Sequence, residues 1–97
     1  LVITYDGTTA KGYVDNGTAL TSSFSGATFT VTTNFSIGKD VGSGSCIPAN
    51  IDEFAIWNTA LTSTQVSEIY SATSTNLTKD LTTVSGSSLV YWNRMGD

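Results

Sequence analysis

The stretch that decides the fold runs from Ala49 to Tyr70 and reads ANIDEFAIWNTALTSTQVSEIY. Its first half, Ile51 to Trp57, is rich in β-branched and aromatic residues and has the length of a strand. Alternation divides this run into two faces, which hold Ile51, Glu53, Ala55 and Trp57 on one side and Asp52, Phe54, Ile56 and Asn58 on the other. Because both faces carry large apolar groups, we predict a strand inside a two-layer β-structure.

The second half of the stretch predicts a short helix over residues 62–70. Thr62 and Gln65 have the capping-box spacing, and Leu61 with Val66 fits a hydrophobic staple. Val66, Ile69 and Tyr70 then form one apolar stripe. A helix of this length is unstable alone in water, so we expect it to pack against the sheet.

These residues resemble a known family. Residues 51–58, 60–62 and 65–70 are similar to the closing strand and short helix of laminin G-like, concanavalin A-like jelly-roll domains. Residues 5–8 and 13–17 resemble the hairpin that precedes that strand in the same family. The resemblance implies an all-β, antiparallel β-sandwich of the jelly-roll class, present in part, with one short α-helix near residues 62–70.

The order of the elements suggests three segments. We expect residues 1–72 to be the C-terminal part of a laminin G-like sandwich and residues 73–87 to be a linker. Residues 88–97 resemble the family's opening strand and either close the sheet or open a following repeat. Asn93 is an extra residue relative to the family pattern, and it predicts a bulge or register change that affects the facing of Arg94 and Met95.

Turn signals organise the remainder of the chain. Asp6-Gly7 and Asp15-Asn16-Gly17 predict a three-stranded meander over residues 1–20. Alternating residues over 28–33 predict a further half-buried strand. A complete sandwich of this family is longer than the present chain, so we expect other protein chains or further repeats to complete the sheet.

Composition narrows the class of protein. The net charge is −4 and there is no histidine, which argues against a nucleic-acid or anionic-membrane partner. Only 12% of residues are charged while hydroxyl and amide side chains are plentiful, a composition typical of extracellular or virion-surface β-proteins. No apolar run reaches membrane-spanning length. Cys46 is the only cysteine, and we expect it to be half-buried beside Ile47.

Catalytic constellations are missing from the sequence. Without histidine, Ser-His and Cys-His pairs cannot form. The acids lie mostly in turns, or side by side at Asp52 and Glu53, and do not suggest two carboxylates opposed across a cleft. We therefore expect no enzyme activity.

Candidate binding residues come from the loop at residues 39–50 and from the strand after it. Asp40, Asn50 and Trp57 are candidates for a ligand rim, and Asp52 with Asp40 are candidates for a calcium site. The alternatives remain open: Asp52 as a strand-end carboxylate bonded to the neighbouring loop, and Trp57 as core packing.

The sequence thus predicts a non-catalytic structural or adhesion module of an extracellular or virion-surface assembly, of the fibre, decoration or tail type. It requires no cofactor, and its partners are other protein chains or further repeats. The alternative is a carbohydrate-binding lectin module, in which glycans are the ligand and calcium assists.

Overall fold

The structure is a computed structural model that describes residues 1–23, 36–40, 42, 44–71 and 80–95. Within these ranges the chain forms β1 (Val2–Tyr5), β2 (Thr9–Tyr13), β3 (Leu20–Ser23), β4 (Phe54–Trp57), α1 (Ser63–Tyr70) and β5 (Leu89–Asn93). Two short 3-10 helices, Leu81–Thr83 and Gly86–Ser88, precede β5. The strand predicted over residues 28–33 lies outside the described residues. The fold is that of a partial, antiparallel all-β sandwich with one α-helix.

The first three strands form the predicted meander. They pair antiparallel in the order β1-β2-β3, with Val2 opposite Tyr13 and Gly12 opposite Leu20. At the second turn Asp15 (φ 49°) and Asn16 (φ 56°) both take the left-handed conformation, which is the geometry that Asn and Asp tolerate best after glycine. Local turn chemistry therefore sets the register of this sheet.

The second sheet pairs β4 with β5. Phe54 lies opposite Asn93, but Trp57 lies opposite Leu89, because the register shifts between Ile56 and Trp57. The predicted irregularity is therefore present, although the extra residue is Val90 and not Asn93. This pairing places residues 89–93 beside β4, while the division of the chain at residues 72 and 88 stays a prediction.

Strand β4 is shorter than the sequence predicts. Glu53 has a positive φ of 55°, a left-handed conformation that interrupts a strand, so residues 51–53 stand outside it. The alternation predicted for Ile51, Asp52 and Glu53 is therefore wrong. Ile56 is also 42% exposed, so the expected burial of both faces does not extend to this side chain.

Helix α1 has the predicted capping box. The Gln65 main-chain N–H donates to Thr62 Oγ1 at 3.3 Å, and the Thr62 main-chain N–H donates to Gln65 Oε1 at 2.9 Å. Leu61 and Val66, the two members of the predicted staple, are both buried in the same cluster. Tyr70 is 58% exposed, however, so its place in the apolar stripe is wrong.

Among the described residues, the main buried cluster is small and lies between the meander and α1. Its buried cluster consists of Tyr13, Leu61 and Val66, and the partly buried side chains packed against it are Val2, Ala19, Trp57 and Ile69. Leu81 and Val84, from the segment before β5, are also buried. Strand alternation directs Val2, Thr4 and Tyr13 to this side of the meander.

No described element packs on the opposite side of the meander, which we call the outer face. Ile3, Gly12 and Leu20 are directly opposed across the three strands, so they form one row on this face. Ile3 is 72% exposed and Leu20 is 75% exposed, while Gly12 adds no side chain between them. Two apolar side chains thus stand in solvent beside a shallow depression.

Candidate functional site

An open cleft of about 750 Å³ lies between β1 and the segment that follows β4, and we call it the β1 cleft. Its lining residues are Ile3, Thr4, Tyr5, Asp6, Trp57, Asn58, Thr59 and Ala60. They form two runs of four consecutive residues, one from each side. The meander and β4 together therefore position this cleft.

Two aromatic side chains in the β1 cleft are fixed by hydrogen bonds at their polar ends. Tyr5 Oη donates to the Gly7 carbonyl oxygen at 2.8 Å, and Trp57 Nε1 donates to the Val84 carbonyl oxygen at 2.9 Å. Both rings are half-buried. Rings held in this way provide rigid apolar surface at a low entropic cost to a ligand.

Asp6 supplies the charge of the β1 cleft. Its Oδ1 accepts hydrogen bonds from the main-chain N–H groups of Thr8 (2.9 Å) and Thr9 (2.8 Å) and from the Thr8 hydroxyl (2.9 Å). The Thr8 N–H, followed by the Thr9 N–H and the Thr8 hydroxyl, holds the pKa of Asp6 below its usual value. Asp6 is therefore an ionised, exposed acceptor at neutral pH.

Asn58 and Thr59 complete the polar side of the cleft. Both are exposed, and they add an amide and a hydroxyl to the lining. The Asn58 main-chain N–H donates to the Ser88 carbonyl oxygen at 2.9 Å, which ties this segment to the residues before β5. The cleft can therefore accept a ligand that is rich in hydrogen-bonding groups and has an apolar side.

Among the predicted ligand residues, Trp57 alone lines the β1 cleft. Sequence reasoning did not place Tyr5 or Asp6 beside it, because the two runs are more than 50 residues apart, as the numbering shows. The one available signal was that Tyr5 and Asp6 adjoin a tight turn, because binding residues are disproportionately found in loops.

Asp40 and Asn50 lie in the predicted rim loop, away from the lining of the β1 cleft. The loop is closed by an isolated bridge between Lys39 and Cys46, and Asp40 Oδ1 accepts from the Gly42 main-chain N–H at 2.9 Å. Asn50 is exposed. Cys46 is exposed as well, so the expectation of a half-buried thiol is wrong. The ligand roles of Asp40 and Asn50 stay predictions.

Asp52 lies just before the left-handed residue. It is exposed, and its Oδ1 accepts a hydrogen bond from the Glu53 main-chain N–H at 3.0 Å. In the part of the chain that the structure describes, no group of three or more His, Cys, Asp and Glu side chains is arranged to hold a metal ion. Calcium also uses amide and main-chain oxygens, so the role of Asp40 and Asp52 as its ligands stays a prediction.

Glu53 forms a cluster that sequence reasoning missed. Its Oε2 accepts a hydrogen bond from Trp92 Nε1, and its Oε1 lies 3.6 Å from Arg94 Nε. The Arg94 guanidinium also lies 5.6 Å from the centre of the Trp92 ring. Because the left-handed backbone at Glu53 aims the carboxylate at β5, this cluster joins the loop before β4 to the last strand. Because the cluster contains a single carboxylate that already bonds Trp92, we interpret it as a contact that stabilises the fold.

Taken together, the antiparallel sheets and the capped helix define a partial β-sandwich domain with an open cleft beside β1. Residues 1–67 match a laminin G-like family profile described as the concanavalin A-like lectin/glucanases superfamily, and the chain belongs to this family. Searches of the curated proteins and of the solved structures returned no match. The matched residues include both sides of the β1 cleft and most of α1.

Proposed function

We propose that this protein is a non-catalytic structural or adhesion module of an extracellular or virion-surface assembly, in which other protein chains or further repeats complete its sheets. The observation that carries the proposal is the outer face, where Ile3 and Leu20 are largely exposed in one row with Gly12. Contiguous exposed apolar residues on a small protein mark an interaction surface. A sandwich normally buries one face of each sheet against another layer.

Membership of the family is consistent with a location outside the cell. Laminin G-like domains are often extracellular. The structure contributes one further fact: within the described ranges no helix has the length and apolar character needed to cross a bilayer. The fibre, decoration or tail type of assembly rests on the hydroxyl-rich, weakly charged composition.

We propose a non-catalytic module because the described lining of the β1 cleft does not contain two opposed carboxyl groups. The superfamily description covers glucanases as well as lectins. Hydrolysis of a glycosidic bond usually requires two carboxyl groups that face each other across the bond. Of the described residues that line the β1 cleft, Asp6 is the only carboxylate, and its Oδ1 is engaged by the turn.

A carbohydrate-binding lectin module is the second candidate function, and the β1 cleft favours it. The rings of Tyr5 and Trp57 offer stacking surfaces, and Asp6 and Asn58 offer acceptors for hydroxyl groups. A glycan array separates two versions of this candidate. Loss of signal in Trp57→Ala points to the β1 cleft, whereas loss in Asp40→Ala or Asn50→Ala points to the rim loop at residues 39–50.

Sedimentation of the purified chain over a range of concentrations tests the assembly role. We expect the wild type to self-associate and Leu20→Lys to remain dispersed, because a charge on the outer face opposes burial. Tyr70→Lys is the matched control, since Tyr70 is similarly exposed but lies on α1. A monodisperse wild type that melts cooperatively as a monomer at every concentration would contradict the proposal.

A further inference from the structure

We propose that Asn16 is an acceptor site for an N-linked oligosaccharide, attached on the side of the meander that faces α1. Asn16, Gly17 and Thr18 form an Asn-X-Thr sequence without proline in the middle, which is the acceptor motif for this modification. The inference rests on the extracellular location in the proposed function, because the motif is modified in secreted proteins. The donor is an oligosaccharide linked to a lipid diphosphate.

Attachment of the oligosaccharide is a substitution at the first carbon of the first sugar. The side-chain nitrogen of Asn16, Nδ2, forms a bond to that carbon and loses one proton. The bond from the same carbon to the donor phosphate breaks, and the lipid diphosphate leaves. The reaction therefore requires an available amide nitrogen and, two residues later, a hydroxyl group, which Thr18 supplies.

The amide of Asn16 has a bonded oxygen and an available nitrogen. Its Oδ1 accepts a hydrogen bond from Ser67 Oγ at 2.9 Å. Nδ2 donates to no partner among the described residues. An amide that carries a sugar on its nitrogen keeps its carbonyl oxygen, so the bond from Ser67 is compatible with the modification.

The turn between β2 and β3 leaves room for a large substituent. Residues 14–18 are all exposed. Asn16 has a left-handed φ of 56°, and the Gly17 main-chain N–H donates to the Val14 carbonyl oxygen at 2.8 Å, so the chain reverses tightly at this point. Because few packed atoms surround the tip of such a hairpin, a bulky hydrophilic group there extends into solvent.

The hydrogen bond from Ser67 fixes the side of the meander on which the sugar begins. Ser67 belongs to α1, and α1 packs on the side of the buried cluster, opposite the outer face. The Asn16 turn follows β2 and Asp6 precedes it, so the two turns lie at opposite ends of a five-residue strand about 14 Å long. The oligosaccharide therefore leaves the outer face and the Asp6 end of the β1 cleft accessible.

Tyr70 lies beside the attachment point on α1. It follows Ser67 by three residues, a spacing that makes two side chains neighbours on a helix surface. Its side chain is 58% exposed, although the apolar stripe of the helix is buried at Val66. The face of a tyrosine ring offers apolar surface to the C–H groups of a sugar. We therefore expect the first sugar on Asn16 to cover part of the Tyr70 ring.

Secretion of the full chain from cultured animal cells, directed by an added signal sequence, tests the attachment. Peptide-N-glycosidase in heavy-oxygen water converts each modified asparagine to labelled aspartate, and peptide mass spectrometry locates the label. This readout separates Asn16 from Asn34 and Asn76, which begin similar motifs and lie outside the described residues. We expect the label at Asn16 in the folded, secreted protein.

Variants of the motif separate its chemistry from the fold. Thr18→Val removes the hydroxyl, keeps the branched shape and leaves the bond between Asn16 and Ser67 in place, so we expect loss of the label with the fold retained. Thr18→Ser is the matched control and should keep the label. Asn16→Asp keeps the acceptor for Ser67 and should lose the label. If the chain is not secreted, translation with microsomes gives the same readout through a mobility shift that the glycosidase reverses.

Nuclear magnetic resonance tests where the sugar lies. The modified wild type is compared with the unmodified Thr18→Val variant. We expect chemical-shift differences at residues 14–18 and at 67–70, on the α1 side, and none at Ile3 or Leu20 on the outer face.

Three results would overturn the inference. An unlabelled Asn16 in secreted wild type, beside a labelled glycoprotein from the same cells, excludes the acceptor site. A label that persists in Thr18→Val excludes the motif as its cause. Differences at Ile3 or Leu20 place the sugar on the outer face. The Leu20→Lys comparison uses unmodified protein from bacteria, so its result tests the proposed function separately from each of these.

Discussion

Trp57 Nε1 donates a hydrogen bond to the carbonyl oxygen of Val84 at 2.9 Å, across 27 residues of sequence. Trp57 belongs to the segment that matches the family, whereas Val84 lies beyond residue 67. Val84 is also completely buried. The residues before β5 are therefore part of the same packed structure as the family-like segment, and the indole is one of the groups that connect them.

Replacement of Trp57 tests the contribution of its hydrogen bond to Val84. Trp57→Phe keeps an aromatic ring but removes the donor, so a part-buried carbonyl loses its partner; we expect the free energy of unfolding to fall by about 1–3 kcal/mol. Tyr91→Phe, which removes an exposed hydroxyl, is the control and should change it by less than about 0.5 kcal/mol. Urea denaturation measures both. Equal effects of the two substitutions would contradict the assigned role of Trp57.

The capping box of α1 makes a second prediction. Thr62→Ala removes the acceptor for the Gln65 main-chain N–H, and we expect it to lower the free energy of unfolding by about 1 kcal/mol. Thr62→Ser retains the hydroxyl and should be close to wild type. Unfolding followed by far-ultraviolet circular dichroism distinguishes them. Identical midpoints for Thr62→Ala and Thr62→Ser would show that the box adds nothing to the packing of Leu61 and Val66.

The turn at Asp6 predicts a pH dependence. Because the pKa of Asp6 is lowered in the folded protein, its contribution to stability is complete above the unfolded value near pH 3.9, and it is lost as pH falls through the lower folded value. We expect wild type to be more stable than Asp6→Ala at neutral pH and the difference to shrink in acid. Denaturation at a series of pH values measures it. A difference that is constant with pH would mean that the carboxylate charge is not involved.

Substitutions at Glu53 separate the contributions of its backbone conformation and of its side chain to the stability of the protein. Glu53→Ala loses the bond from Trp92 and keeps a Cβ in the left-handed region, while Glu53→Gly loses the same bond but relieves the backbone. We expect Glu53→Gly to be more stable than Glu53→Ala by about 1 kcal/mol. Arg94→Ala should cost less than about 1 kcal/mol, because that ion pair is partly exposed. If Glu53→Gly were less stable than Glu53→Ala, the left-handed backbone conformation of Glu53 would be contradicted.

Local chemistry made much of this fold predictable. The Asp15-Asn16 turn and the Thr62–Gln65 box each operate over two to four residues, and both are present as the sequence indicates. The family-level architecture was also predictable, because it depends on the combination of these short signals. Side chains at such sites are positioned by their immediate neighbours.

Long-range partners were not predictable. The left-handed Glu53 places its carboxylate against Trp92 and Arg94, which are about 40 residues further along the chain, as their numbers show. The short length of β4, the bulge at Val90 and the positions of Tyr5 and Trp57 on the two sides of the β1 cleft likewise depend on which distant segments pack together. The periodicity of a sequence carries no information about contacts between distant segments, so the strand alternation predicted for Ile51 and Asp52 was wrong.

The pairing of β4 with β5 has a consequence for the order in which the chain folds. Phe54 and Asn93 are neighbours in space but distant along the chain, whereas each pair in the meander closes only a short loop. Closing a long loop has the larger entropic cost, and contacts between distant segments form late. The hairpins of the meander and the capped turns of α1, which are local, should therefore form before β4 pairs with β5, and substitutions in β5 should accelerate unfolding more than they slow folding.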